Sequence, residues 1–173
     1  MVEIVRKKCG KALTPTVVII DAQSAQTTPV AGESRGFDAG KKIKGRKRHI
    51  VVDTLGLVLA VVIHSASIQD RGGAIEVLTE LKYGWAGIVK IFADEGYRGK
   101  IIELVKLKFN YTLEIIKRDQ LPAFKILPKR WIVERTFAWI DTNRRNSKDY
   151  ERLTESSLAM MQISSTRLML LKF

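Results

Sequence analysis

Cysteine is almost missing from this chain: Cys9 is the only one in 173 residues. That excludes an internal disulfide framework and any multi-cysteine zinc site, and it sets a reduced, cytosolic compartment as the expectation. Long apolar runs are missing too. The longest, such as Val58 to Ile63, are far too short to span a bilayer, and no apolar run directly follows the basic residues Arg6, Lys7, Lys8 and Lys11 near the N-terminus. The reading is a soluble protein with no membrane partner. Aromatics make up 8% and histidines number two, His49 and His64. Acidic residues are the other shortage. Eighteen Asp and Glu stand against thirty Lys and Arg, a formal charge of +12 with a pI near 10.0. Such a field attracts polyanions, nucleic acid first among them, although membrane surfaces and ribosomal RNA also satisfy it.

The hydrophobic fraction of 46% suits a packed core in a single domain. The β-branched run Thr16 to Ile20 predicts a buried strand ending at Asp21. From Gln23 to Arg48 the chain is polar and without apolar period, which predicts an extended surface loop. His49 to Thr54 and Leu57 to His64 predict a hairpin around Gly56. Asp70 is placed to cap a helix bearing Ala74, Val77, Leu78 and Leu81 on one face. Ile88 to Ala93 predicts a strand that ends on Asp94, and Lys100 to Lys108 a helix. Thr112 to Lys117 predicts another strand. After Pro122 and Pro128 a helix begins near Arg130, and Thr154 to Leu171 reads as the last helix. The expected architecture is α/β, a mixed sheet flanked by helices. Its expected parts are an extension over residues 1–14, a domain over 15–153, and a helix over 154–173 packed on that domain.

Three carboxylates occupy informative positions. Asp21 and Asp94 each follow an apolar strand, where α/β sheets place ligand sites. Glu134 flanks the apolar stripe Val133, Phe137 and Ile140 of its helix, in line with Arg130 and Asp141. Three acids brought together call for Mg²⁺ or Mn²⁺, and two such ions about 3.5–4 Å apart serve phosphodiester displacement. Turn or cap roles for these acids are the plainer alternative on pattern alone. Six of the eight residues from Lys41 to Arg48 are basic: Lys41, Lys42, Lys44, Arg46, Lys47 and Arg48. On a loop beside a metal site they would contact phosphates, as would Arg130; a solvated charge run and an Arg130–Glu134 ion pair are the alternatives. His64 reads as a satisfied strand-end residue or, less simply, as a neighbour of the acids. Trp131 and Trp139 read as packing residues or, less simply, as stacking platforms.

The blocks around these acids are more specific than their spacing. Ile20-Asp21-Ala22-Gln23-Ser24-Ala25-Gln26-Thr27-Thr28, the stretch from Gly36 to His49 running into Val52-Asp53-Thr54-Leu55-Gly56, Ala93-Asp94-Glu95-Gly96-Tyr97-Arg98-Gly99, and Arg130 to Trp139 followed by Arg144-Arg145 come in this order. Together they resemble the DDE transposases of bacterial insertion sequences, in the group named for insertion sequence five. The resemblance implies an RNase H-like fold with Asp21, Asp94 and Glu134 as catalytic metal ligands. It implies cleavage at a mobile element's terminal repeats, strand transfer into target DNA, and self-association on double-stranded DNA. Leu127 and Asp141 stand where the related insertion-sequence-four enzymes carry Tyr and Lys, so Arg144 or Arg145 is expected to supply the missing cation. The resemblance also implies, in full-length relatives, an N-terminal DNA-binding region, and none is expected within these 173 residues. That leaves an upstream-frame product as a possible partner and a truncated, non-catalytic DNA-binding remnant as the second reading. An RNase H-like nuclease acting without terminal repeats is the third.

Overall fold

The computed structural model describes residues 1–30, 32, 34–116 and 130–172. Its centre is β1 (Val17–Gln26), which pairs antiparallel with β3 (Ile43–Asp53) from Val18 opposite Asp53 to Gln26 opposite Gly45. On its other side β1 runs parallel to β5 (Lys90–Ala93), and β5 runs parallel to β6 (Thr112–Ile115). The far edge of β3 carries β2 (Gly36–Asp38) and the hairpin strand β4 (Val58–Ser65), both antiparallel. Strand alternation divides the core. Val18 and Ile20 of β1 face α2 (Asp70–Gly84) and α3 (Ile101–Phe109) in one apolar cluster. Ile19, with Ile50 and Phe92, faces α4 (Arg130–Asp141) and α5 (Thr154–Lys172) in a second.

The apolar elements match expectation, including the buried face Ala74, Val77, Leu78 and Leu81 and the stripe Val133, Phe137 and Ile140. No helix is long and apolar enough to cross a membrane among the described residues. The polar stretches differ. β1 does not end at Asp21 but continues five residues further, to Gln26. The predicted loop over 23–48 is therefore half sheet, because β3 supplies backbone partners that make side-chain polarity irrelevant to pairing. Asp70 does not cap α2. Gln69 holds the cap position, and the Asp70 carboxylate takes the Lys47 ammonium at 2.8 Å. The expected strand end at Lys117, and Pro122, Leu127 and Pro128, lie outside the described residues.

The first residues are more than an extension. α1 (Val2–Lys8) packs Val2 and Val5 against Leu57 and Met169. Its Arg6 guanidinium pairs with the fully buried Asp53. The same carboxylate accepts the Leu55 and Leu57 amides at 2.9 Å, so it closes the β3–β4 turn, where Gly56 takes φ +88°. A buried carboxylate needs a cation, and α1 delivers it from outside the hairpin.

Candidate nucleic-acid and metal site

The register of the sheet sets two of the acids side by side. Val17 to Ile19 pair with Lys90 to Phe92, and the same register continued by two residues places Asp21 against Asp94. Alternation gives both the face of Ile19 and Phe92, the side covered by α4. Asp21 and Glu134 line one open cavity of about 420 Å³ together with Gln23, Ser24, Lys41 and Asp141. Arg130, in the first turn of α4, connects the remaining pair. Its guanidinium stands 3.7 Å from Asp94 Oδ2 and 3.2 Å from Glu134 Oε1.

The electrostatics follow from this crowding. Burial pushes the Asp21 carboxyl up from 3.8 to about 6; its hydrogen bond from the Ala22 amide opposes that rise, Asp94 adds to it, and Arg130 and Lys41 oppose it. Asp94 accepts the Gly96 amide at 2.9 Å, which fixes it at the start of a 3-10 turn over Glu95–Tyr97. Glu134 remains half exposed beside Arg130. Among the described residues no group of three His, Cys, Asp or Glu side chains lies close enough to hold a metal ion. The donor chemistry nonetheless suits a hard divalent cation. The donors are all oxygen, two are strand neighbours, and one pays for burial with a raised pKa that a cation would reverse.

The basic block divides in two. Lys41, Lys42 and Lys44 are exposed, and Lys41 Nζ donates to the Ala22 carbonyl at 3.1 Å on the rim of the acidic cavity. Arg46, Lys47 and Arg48 do not stand on a loop facing solvent. They lie in β3 and are buried. Arg46 pairs with Asp149 at 3.3 Å and donates to the carbonyls of Glu151 and Arg152. Lys47 pairs with Asp70 and donates to the Ile68 carbonyl. Arg48 donates to the Asn146 carbonyl at 2.7 Å and lies 3.6 Å from Asp141. A strand puts alternate side chains on opposite faces, and acids distant in sequence meet each one there. Their burial in a strand corrects the exposed loop expected for these three, and the contacts they make are internal ones.

Arg144 and Arg145 are exposed in a 3-10 turn after α4, and Arg145 pairs with Glu151. Neither lines the cavity that holds Asp21 and Glu134; the cation on that rim is Lys41. Sequence reasoning missed this placement, and it missed Gln23, whose Nε2 donates to Asp141 Oδ2 at 2.6 Å and fixes the far wall. It also missed a buried polar cluster beneath the site. The rings of His49 and His64 lie 4.8 Å apart, and Tyr97 stands edge-on to His49 at 6.3 Å. His64 Nδ1 meets the Ser65 carbonyl oxygen at 2.9 Å, while Nε2 is buried with no hydrogen-bond partner among the described residues. Burial lowers the His49 pKa to about 3, with His64 and Lys47 adding to the fall, so His49 is neutral. Trp131 and Trp139 flank the Arg135 guanidinium at 4.4 and 4.3 Å, a stacked ladder along the exposed side of α4.

Comparison with known proteins gives this arrangement a context. A chain of the simian T-cell lymphotropic virus intasome, solved in complex with PP2A regulatory subunit B56 gamma, is similar with a TM-score of 0.58 and 12% identity. The match covers 90% of this chain and 49% of that one, so the present chain spans about half the length of its counterpart. The catalytic core domain of BIV integrase is similar with a TM-score of 0.51 and 12% identity, over 88% of this chain and 82% of that one. At such identity the likeness is one of fold, an RNase H-like mixed sheet with helices on both faces. Among curated protein sequences, none matches the chain. A sequence signature does: the family described as "Transposase DDE domain" matches residues 12–169. With nearly the whole sheet and its helices inside that span, the chain belongs to the DDE transposase family.

Proposed function

We propose that this chain carries out the metal-dependent DNA strand cleavage and strand transfer of a transposase, with Asp21, Asp94 and Glu134 as its catalytic acids. The observation that carries the reading is the sheet register, which sets Asp21 beside Asp94 on the face covered by the helix bearing Glu134. Mg²⁺ or Mn²⁺, as one ion or a pair, would be held by these three carboxylates and would supply Lewis-acid stabilisation of the attacking and leaving oxygens. The rest falls to the chain itself. Asp94 is positioned by the Gly96 amide, and Asp21 by the Ala22 amide. Asp141 is held by Gln23 and Arg48, so that it marks the cavity wall. The substrate in this reading is double-stranded DNA bearing an element's terminal repeats. The insertion-sequence-five blocks around each acid support a bacterial, cytoplasmic source, with copies of the chain associating on DNA.

The test uses the purified chain, with and without any product of an upstream frame, on DNA carrying candidate terminal repeats. Mg²⁺- or Mn²⁺-dependent nicking or joining is the expected result. Replacing Asp21, Asp94 or Glu134 singly with Ala is expected to lower it by roughly 10³-fold or more while the fold persists. Full activity in all three variants removes the assignment. Salt-sensitive binding without cleavage in either preparation favours the remnant, and cleavage indifferent to the repeats favours a general nuclease.

The exposed lysines supply a separate measurement. Replacing Lys41, Lys42 and Lys44 together with Ala is expected to weaken DNA binding and to flatten the slope of log K against log salt by roughly 2–3. Unfolding temperature is expected to stay within a degree or two, since none of the three is buried. A slope identical to the wild type's would show that these ammoniums meet no phosphate.

A further inference from the structure

Among the described residues, Arg130 is the one side chain that forms ion pairs with two of the three acids. It pairs through one nitrogen with Asp94 and through another with Glu134, and its side chain is only 13% exposed. It therefore lies between the carboxylates that the proposed function assigns to a metal. An ordinary i,i+4 surface pair leaves the arginine in water and reaches no third group. Here the helix start is pinned to a strand end instead. Arg130 also opposes the raised pKa of Asp21, so its field extends over all three acids.

We propose that Arg130 is an internal counter-cation, which holds the metal-free site together and competes with divalent metal for Asp94 and Glu134. The inference rests on the metal site proposed above. Without a cation, Asp21 and Asp94 repel as strand neighbours, and Glu134 has no reason to turn toward them. Arg130 offsets that repulsion at fixed geometry. A guanidinium cannot bind carboxylates as tightly as a doubly charged ion, so metal entry displaces it. The consequence is an exchange of one cation for another. Metal affinity in the wild type is reduced by the work of breaking both ion pairs, and the metal-free fold is protected while it waits.

The experiment measures Mn²⁺ binding to the full chain by titration calorimetry, together with unfolding temperature in metal-free buffer, for the wild type, Arg130→Gln, Arg130→Lys and Asp21→Asn. Arg130→Gln is expected to bind Mn²⁺ about five- to tenfold more tightly than wild type and to unfold at a lower temperature without metal. Arg130→Lys, which keeps the charge but cannot fork between two carboxylates, is expected to fall between them and keeps the test open if the Gln variant does not fold. A Kd for Arg130→Gln (or, in its absence, Arg130→Lys) that equals or exceeds the wild type's overturns the exchange, whatever happens to stability. Asp21→Asn separates the two ideas. Should it bind Mn²⁺ as the wild type does, or should the wild type bind none, the metal site itself is wrong and the exchange falls with it. Loss of binding in Asp21→Asn with an unchanged arginine variant leaves the site standing and removes only the role of Arg130.

Discussion

Asp21→Asn is expected to unfold at a higher temperature than the wild type in metal-free buffer at pH 8, although it removes a carboxylate the proposed chemistry cannot do without. The cause is burial, which raises the Asp21 pKa from 3.8 to about 6. The sign follows from linkage. A carboxyl whose folded pKa is raised favours folding fully below its unfolded value and loses that contribution as pH climbs through the folded value. At pH 8 the wild type therefore carries a buried charge that weakens the fold, and Asn does not. The gain is about 1–3 kcal/mol, a few degrees in a chain of this size, and it shrinks toward zero near pH 4. Saturating divalent metal is expected to reverse the order, since it stabilises only the protein that binds it. Thermal unfolding at pH 4.5 and pH 8, with and without Mg²⁺, makes the comparison. An Asn variant no more stable than wild type at pH 8 would mean that Asp21 is solvated, and the strained-site reading would go.

The second large effect concerns a residue with no part in the chemistry. Arg46→Ala is expected to lower stability by about 3–5 kcal/mol, because Asp149 would be left buried and without its cation. The damage extends along the chain. Arg46 also donates to the carbonyls of Glu151 and Arg152, and Asp149 accepts from the Ser157 hydroxyl in the first turn of α5. One guanidinium thus anchors the end of the connection from α4 to α5, from Asp149 to Arg152, onto β3, while Arg48 holds Asn146 earlier in it. Denaturant titration of Arg46→Ala beside the Lys41, Lys42 and Lys44 triple variant gives the contrast directly. The first is expected to shift the midpoint strongly and the second hardly at all. A midpoint for Arg46→Ala close to the wild type's would return Arg46 to the solvent-facing group.

That contrast also marks how far the sequence could be read. Apolar patterning located β5, α2 and α4, because core faces are written locally, and a scarcity of turn residues located α5. It failed where pairing partners are distant. Ala22 to Gln26 carry no strand signal, and what extends β1 through them is β3 alongside. Arg46, Lys47 and Arg48 read as phosphate-contacting loop residues because Asp149, Asp70 and Asp141 lie far off in the chain. α1 was invisible for the same reason, its anchor being Asp53. The acids fared better. Asp94 ends its strand as predicted, and the helix of Glu134 has the expected flank. Asp21 was expected at a strand end, whereas it sits within a strand that β3 extends past it. The partnership of Arg130 with Asp94 had no sequence signal beyond the i,i+4 pair it makes with Glu134.

The pairing of β1 with β5 has a consequence for how this chain tolerates insertions and deletions. β2, the hairpin, α2 and their loops fill the interval between Asp21 and Asp94, yet the relative height of the two acids is set by hydrogen bonding of Thr16 to Ile19 with Val89 to Phe92. Lengthening a surface turn in that interval leaves the acids level. Deleting Ile20 turns the carboxylate to the opposite face of the sheet, into the place Ile20 held beside Val18 and the side chains of α2. A copy damaged in that way would keep every acidic residue and most of its core, and it would be silent by geometry.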